Sequence, residues 1–300
     1  MCPEHTKMFP SRRILTIPLT FLVAVVASEA STSPRVPTTS GILNGFYSGN
    51  ITTFLGIPYA QPPVGDLRWR TALPVNASGT EVDATQFGPV CGQLLVPGWG
   101  SAYYDIIPLP ATQSEDCLSL NIWAPRDGQN LPVIIFVHGG GYQSGGSPSP
   151  IYYGDHIAST GRAIFVTLNY RMNVWGFPST TPIDGIDQNI GITDVRLAIE
   201  WVSRNIGQFG GDPAQITLAG HSAGASLGEA LLYAYEEDPI VVGHIPASGA
   251  LGTIDASPTD GASWNFVADS LGCGNITNSV QVCHIPAYLC HITLIHFCAF

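Results

Sequence analysis

Two clusters in this sequence combine residue types and spacing that suit covalent chemistry. Gly220-His221-Ser222-Ala223-Gly224 sets one serine among small residues. A serine hydroxyl is a weak nucleophile until an adjacent base takes its proton. In a sharp strand-to-helix turn, Gly220 and Gly224 leave room where larger side chains would collide, and the turn lifts the hydroxyl to the sheet's C-terminal rim. His138-Gly139-Gly140-Gly141-Tyr142 is the second cluster. Consecutive glycines let the backbone approach a substrate closely. Paired with the Ala223 N–H, their amides would form an oxyanion hole for the tetrahedral intermediate of acyl transfer, each donor contributing about 3–4 kcal/mol. A phosphate-binding glycine loop is the competing reading. Such loops usually add a Lys or an x-G-x-x-G frame, and neither is present here. His221 and His138 are read as packing residues, because a neighbour in so tight a turn is poorly placed to take its own serine's proton.

Strands and helices must hold these clusters in place. Leu131 to Val137 is a continuous apolar run ending at the glycine loop, and Ala163 to Leu168 is another. Such runs mark strands buried on both faces. Between Asp194 and Phe209, the residues Val195, Ile199, Val202, Ile206 and Phe209 recur at helical steps, with Thr193 or Asp194 as N-cap. Ile216 to Ala219 reads as a short strand and Ser222 to Tyr235 as a helix, so the serine falls at their junction. Ile51 to Tyr59 leans towards β structure. Strands alternating with amphipathic helices imply an α/β fold with a mostly parallel sheet.

Composition narrows the setting. The 300 residues carry a net charge of −11, and the sole lysine is Lys7. Nucleic-acid partners call for a basic stripe, which is missing, so none is expected. Lys7, Arg12 and Arg13 precede an apolar run from Ile14 to Ala27 and then Ser28-Glu29-Ala30. That order is a secretory signal peptide over residues 1–30, too short to favour a stable membrane span of roughly 20 residues. An uncleaved signal anchor is the alternative. Residues 31–40 are Ser/Thr/Pro-rich and expected to be loose. Sequons at Asn50, Asn76 and Asn275 agree with a secreted, extracellular glycoprotein. Six cysteines follow the leader: Cys91, Cys117, Cys273, Cys283, Cys290 and Cys298. They allow fifteen pairings, and arithmetic alone selects none. No His/Cys spacing fits zinc, so no metal is expected. Acyl transfer of this kind needs only side chains and water, so no cofactor is implied.

Phe209 to Gly224, Glu115-Asp-Cys-Leu-Ser-Leu-Asn-Ile-Trp123, and Phe54 to Ala60 with Pro62 to Gly65 together resemble the type-B carboxylesterases, the family of cholinesterases, fungal lipases and related esterases. The likeness runs over residues 41–283. It implies an α/β-hydrolase fold, of which this chain carries the N-terminal portion, an incomplete domain with residues 284–300 as an atypical tail. It assigns Ser222 as the acyl-forming nucleophile and Gly140, Gly141 and Ala223 as oxyanion donors. It pairs Cys91 with Cys117 and Cys273 with Cys283, the first bridge contributing roughly 3.5 kcal/mol by chain entropy. It also pairs Arg68 with Glu115 and Arg171 with Asp194. The apolar loop between Cys91 and Cys117, with Leu94, Trp99 and Tyr103 among its residues, suits a lid or wall beside an acyl pocket.

The family's catalytic acid and histidine are expected further downstream than this chain extends. Beyond Asp269 no charged residue occurs, and His284, His291 and His296 stand in the tail with nothing to place them near Ser222. Two functions follow. One is a secreted serine hydrolase acting on a small-molecule or lipid ester, its general acid and base missing from this chain. The other is a non-catalytic binding or adhesion relative, or an inactive truncated product.

Overall fold

The computed structural model describes residues 33–75, 77, 79–93, 112–180, 186–252 and 261–270, the side chain of Ser263 excepted. Twelve strands fall within them: β1 (Arg35–Thr38), β2 (Gly41–Asn44), β3 (Phe46–Ser48), β4 (Ile51–Pro58), β5 (Glu81–Asp83), β6 (Val90–Cys91), β7 (Gln113–Ser114), β8 (Ser119–Pro125), β9 (Leu131–Val137), β10 (Ile164–Leu168), β11 (Gly211–His221) and β12 (Gly243–Ala247). The helices are α1 (Asp155–Ser159), α2 (Asn173–Gly176), α3 (Ile190–Asn205), α4 (Ala223–Ala234) and α5 (Ala262–Ser270).

Seven strands form the central sheet in the order β12-β11-β9-β10-β8-β4-β3. β10, β9, β11 and β12 are mutually parallel, whereas β8 pairs antiparallel with both β10 and β4, and β3 antiparallel with β4. Five of the seven strands therefore point one way, and both reversed strands lie in the N-terminal half. The chain leaves β9, returns as β10 on one side, then crosses through α3 to place β11 on the other. This puts the C-terminal ends of β9 and β11 side by side, with Val137 opposite Gly220. The two chemical clusters start at those ends.

The core explains the apolar runs. Val133, Ile135 and Val137 of β9, Ile164, Val166 and Leu168 of β10, and Ile216 and Leu218 of β11 are all fully buried. Val195, Ile199, Val202 and Ile206 of the α3 face pack into the same cluster. Removing such side chains from water is the main stabilising term, about 1.5–3 kcal/mol each. A second cluster stacks Trp69 on Trp175 with ring centroids 5.4 Å apart, and Trp264 meets Trp69 edge-on.

Two expectations need correction. Residues 35–38, within the segment expected to be loose, form β1 and pair antiparallel with β2. Val36 packs on the core, and the buried Ser40 hydroxyl accepts from the Trp201 indole at 2.8 Å, so burial overrides the polar composition. Helix α3 starts at Ile190, a turn before the residues expected to cap it, with Asn189 as N-cap in the left-handed region. Asp194 cannot serve as a cap because its carboxylate is held by Arg171, through Nε at 2.8 Å and Nη2 at 2.7 Å. Arg68 and Glu115 form the other bidentate pair, at 2.6 and 2.7 Å. Cys91 and Cys117 are disulfide-bonded. Cys273, Cys283, Asn76, Asn275 and the apolar residues of the proposed lid lie outside the described residues. Asn50 sits exposed in the turn between β3 and β4.

The Arg171–Asp194 pair is buried on both sides, with side-chain exposures of 5% and 0%. Deleting one partner leaves a charge without its counterion in a site closed to water. Asp194→Ala is expected to lower unfolding free energy by about 3–5 kcal/mol. Urea titration followed by fluorescence measures this, and a loss under about 1 kcal/mol would contradict it.

Candidate active site

Ser222 follows β11 directly and stands at the N-cap of α4, with φ 53° and ψ −122°. A non-glycine residue there is strained by about 1–3 kcal/mol and persists only where its surroundings leave no alternative. Those surroundings are backbone. The Ser222 N–H donates to the Ala247 carbonyl at 2.8 Å, and its carbonyl accepts from Ala225 at 2.9 Å and Ser226 at 3.1 Å. A Cβ on Gly220 would strike the Gly224 carbonyl, and one on Gly224 would strike the carbonyls of Val137 and His138. The small residues flanking the serine are thus dictated by contact between the end of β9, the turn and the first turn of α4. Ser222 is half-buried, and its hydroxyl has no hydrogen-bond partner among the described residues.

The glycine loop lies directly against this turn. A Cβ on Gly139 would sit 3.0 Å from Ser222 Cβ and 2.7 Å from the His221 carbonyl oxygen. Beyond it the Gly140 carbonyl accepts from the N–H groups of Gln143 and Ser144, at 3.0 and 3.1 Å. In a trans peptide the C=O and N–H point in opposite directions. Fixing the Gly140 carbonyl into that turn therefore directs the Gly141 N–H the other way. The Gly139 carbonyl is likewise held by His138 Nδ1 at 2.9 Å, which directs the Gly140 N–H. Among the described residues the amides of Gly140, Gly141 and Ala223 donate to no protein acceptor.

His138 is structural in this arrangement. Its ring is buried, stacks on Tyr170 with centroids 4.6 Å apart, and has its pKa pushed down to about 4 by burial. A carbonyl can only accept, so Nδ1 carries the proton, and Nε2 has no partner among the described residues. The ring stays neutral while orienting the loop. His221 lies with Nδ1 close to Gly139 and makes no hydrogen bond to the Ser222 hydroxyl. The packing role expected of His138 therefore extends to orienting the loop.

Of the residues that sequence reasoning singled out, Ser222 and Ala223 share one turn, and Gly140 and Gly141 follow Gly139, which packs against that turn. The same reasoning did not identify Gln93, Asn173 or Ala247, which tether the loop and turn from distant segments. Tyr142 lay within a quoted motif, but nothing marked its contacts. Its ring packs 5.0 Å from Phe177. Burial raises the Tyr142 pKa and keeps the phenol protonated at neutral pH. No group of His, Cys, Asp and Glu among the described residues is arranged to hold a metal ion.

Comparison with known proteins follows the same geometry. The carboxylesterase family model matches residues 32–287. The chain is 36% identical over 286 residues to the chlorogenic acid esterase of Aspergillus niger, covering 90% of this chain and 55% of that protein. It is 35% identical to secreted lipase 5 of Gibberella zeae, covering 84% of this chain and 52% of that one. A solved thermophilic PNB esterase superposes with a TM-score of 0.75 at 32% identity, over 89% of this chain and 54% of its own. The chain spans about half the length of the curated relatives it matches. With an α/β-hydrolase sheet, a strained serine turn and a glycine loop pressed against it, the chain belongs to the carboxylesterase family.

Proposed function

We propose that this protein is a secreted carboxylic ester hydrolase working through an acyl-enzyme on Ser222. The observation that carries the reading is the close approach of Gly139 to Ser222, in a loop whose Gly140 and Gly141 amides, like that of Ala223, donate to no acceptor among the described residues. Ser222 Oγ attacks the ester carbonyl carbon while a base takes its proton. The charge that moves onto the carbonyl oxygen is met by the N–H groups of Gly140, Gly141 and Ala223, the last at the positive end of α4. Collapse expels the alcohol, which takes up a proton, and water then releases the acid. Among the described residues no imidazole or carboxylate hydrogen-bonds Ser222 Oγ, and none of them is assigned as the base.

The acidic composition, and relatives named as a chlorogenic acid esterase, a secreted lipase and a PNB esterase, support a small-molecule or lipid ester as substrate, with no nucleic-acid partner. Secretion rests on the leader over residues 1–30, the Cys91–Cys117 bridge and the exposed sequon at Asn50. No helix among the described residues is long and apolar enough to cross a membrane.

The test is the intact mass of the purified chain after exposure to a fluorophosphonate. One adduct per molecule, absent from Ser222→Ala, is the expected result. A folded chain that takes no adduct would overturn the reading for this chain, leaving either a nucleophile without its base or a binding role for the same scaffold.

A second expectation concerns acid. The folded pKa of His138 is about 4, below its ordinary value of 6.5, so the unfolded chain binds this proton first as pH falls. Stability from this group is complete above about pH 6.5 and declines towards pH 4, by about 3 kcal/mol in all. His138→Gln should flatten that limb of a urea-midpoint-against-pH curve. An unchanged limb would assign the acid sensitivity elsewhere.

A further inference from the structure

Gln93 lies two residues past Cys91 and belongs to no motif, yet only 3% of it is exposed. Its carboxamide is fully committed. Oε1 accepts from the Gly145 N–H at 2.8 Å, while Nε2 donates to the Gly145 carbonyl at 2.7 Å and the Cys91 carbonyl at 3.1 Å. The Gln93 backbone N–H donates to Gln113 Oε1 at 2.8 Å, which steadies the segment from β7. One side chain thus holds both polar groups of a single residue in the loop.

That residue is where the loop is most constrained. Gly145 has φ +121°, and a Cβ there would lie 2.5 Å from the Gly139 carbonyl oxygen and 2.5 Å from His138 Nδ1. Its backbone therefore presses on the hydrogen bond that turns the Gly140 amide. A second tether runs in parallel. The Asn173 N–H donates to the Tyr142 carbonyl at 2.6 Å, and Asn173 Nδ2 donates to the Gly92 carbonyl at 2.8 Å. Residues 92 and 93, next to the disulfide at Cys91, thus reach the glycine loop at its middle through Asn173 and at its far end directly.

We propose that Gln93 is a positioning residue of the oxyanion loop: clamped on Gly145, it fixes the Gly139 carbonyl and so aims the Gly140 N–H at the reacting oxygen. This rests on the reading of Ser222 and the loop as an acyl-transfer site. An amide suits the task because it offers a coplanar donor and acceptor to the N–H and C=O of one residue. Glutamate would set a second acceptor against the Gly145 carbonyl. Methionine keeps the length and offers neither bond.

The experiment compares the full chain with its Gln93→Met variant by two readouts. Hydrogen exchange of peptides spanning residues 138–146 reads the clamp directly. Exchange there should rise about tenfold or more in the variant, with peptides of α4 unchanged. The rate of fluorophosphonate attachment to Ser222 reads the donor and should fall about 10-fold to 100-fold. Unchanged loop exchange overturns the proposal. Faster exchange with an unchanged labelling rate also overturns it, because the donors would then be aimed without the clamp. If the unsubstituted chain takes no label, the Ser222 reading fails on its own, and the exchange comparison alone supports or refutes the clamp. Should the Met variant fail to fold, Gln93→Glu is read the same way, since it keeps the bond from the Gly145 N–H and loses the one to its carbonyl.

Discussion

The contact between the start of α4 and the end of β9 constrains everything else in this molecule. Gly224 lies so close to the carbonyls of Val137 and His138 that only hydrogen fits between them. At that separation the turn joining β11 to α4 has no slack, and Ser222 takes up the difference as positive φ. The cost of about 1–3 kcal/mol is sustained because the neighbouring polar groups are already committed to one geometry. Ala247 at the end of β12 accepts from the serine N–H, and Gly249 packs against the serine carbonyl. Strand order follows from the same requirement. β9, β11 and β12 must be parallel neighbours for the loop, the serine and Ala247 to emerge on one rim.

The N-terminal half answers a different need. β3, β4 and β8 extend the sheet with antiparallel ladders, and the side chains behind them are unusually polar for a core. Asn121 donates to Ser147 and Thr167 and accepts from the Gly56 N–H, at 2.9 to 3.0 Å. Asn169 accepts from the Ser147 N–H and donates to the carbonyls of Pro89 and Cys117. Buried amides of this kind define one arrangement, because a slip in register would leave several polar groups unpaired. They link the disulfide, β8 and β10 to the segment that follows the glycine loop. Rigidity of the loop is thus inherited from the sheet.

Much of this was legible in the sequence, for identifiable reasons. Apolar runs and three- and four-residue spacing report burial, and burial is what the sheet and α3 are made of, so β9, β10, α3 and α4 could be read directly. The serine turn was legible because its steric demand leaves small residues at fixed spacing around Ser222. Polar segments were harder. Arg35 to Thr38 looked loose because composition does not reveal that Val36 is half-buried and Ser40 buried by partners far along the chain. Asp194 looked like a cap because a carboxylate near a helix start normally is one. Only the resemblance to the carboxylesterases set it against Arg171. Gln93 carried no signal at all, since its role depends on Gly145, some fifty residues away.

Electrostatics at the loop completes the account. A cation beside the glycine loop would stabilise an anion there, but it would also attract water and counterions into the site. Burial keeps His138 neutral above about pH 4, so the ring orients the Gly139 carbonyl without adding charge. In the proposed reaction, positive potential at Ser222 comes from oriented dipoles, the amides of Gly140 and Gly141 and the start of α4. Dipoles fixed by backbone need no reorganisation when charge appears on a substrate oxygen, which is the condition under which such donors contribute most. Their aim is set by peptide planarity and by two carbonyls held in place. Any residue that holds those carbonyls, His138 in direct contact or Gln93 through Gly145, therefore acts on the chemistry without touching the substrate.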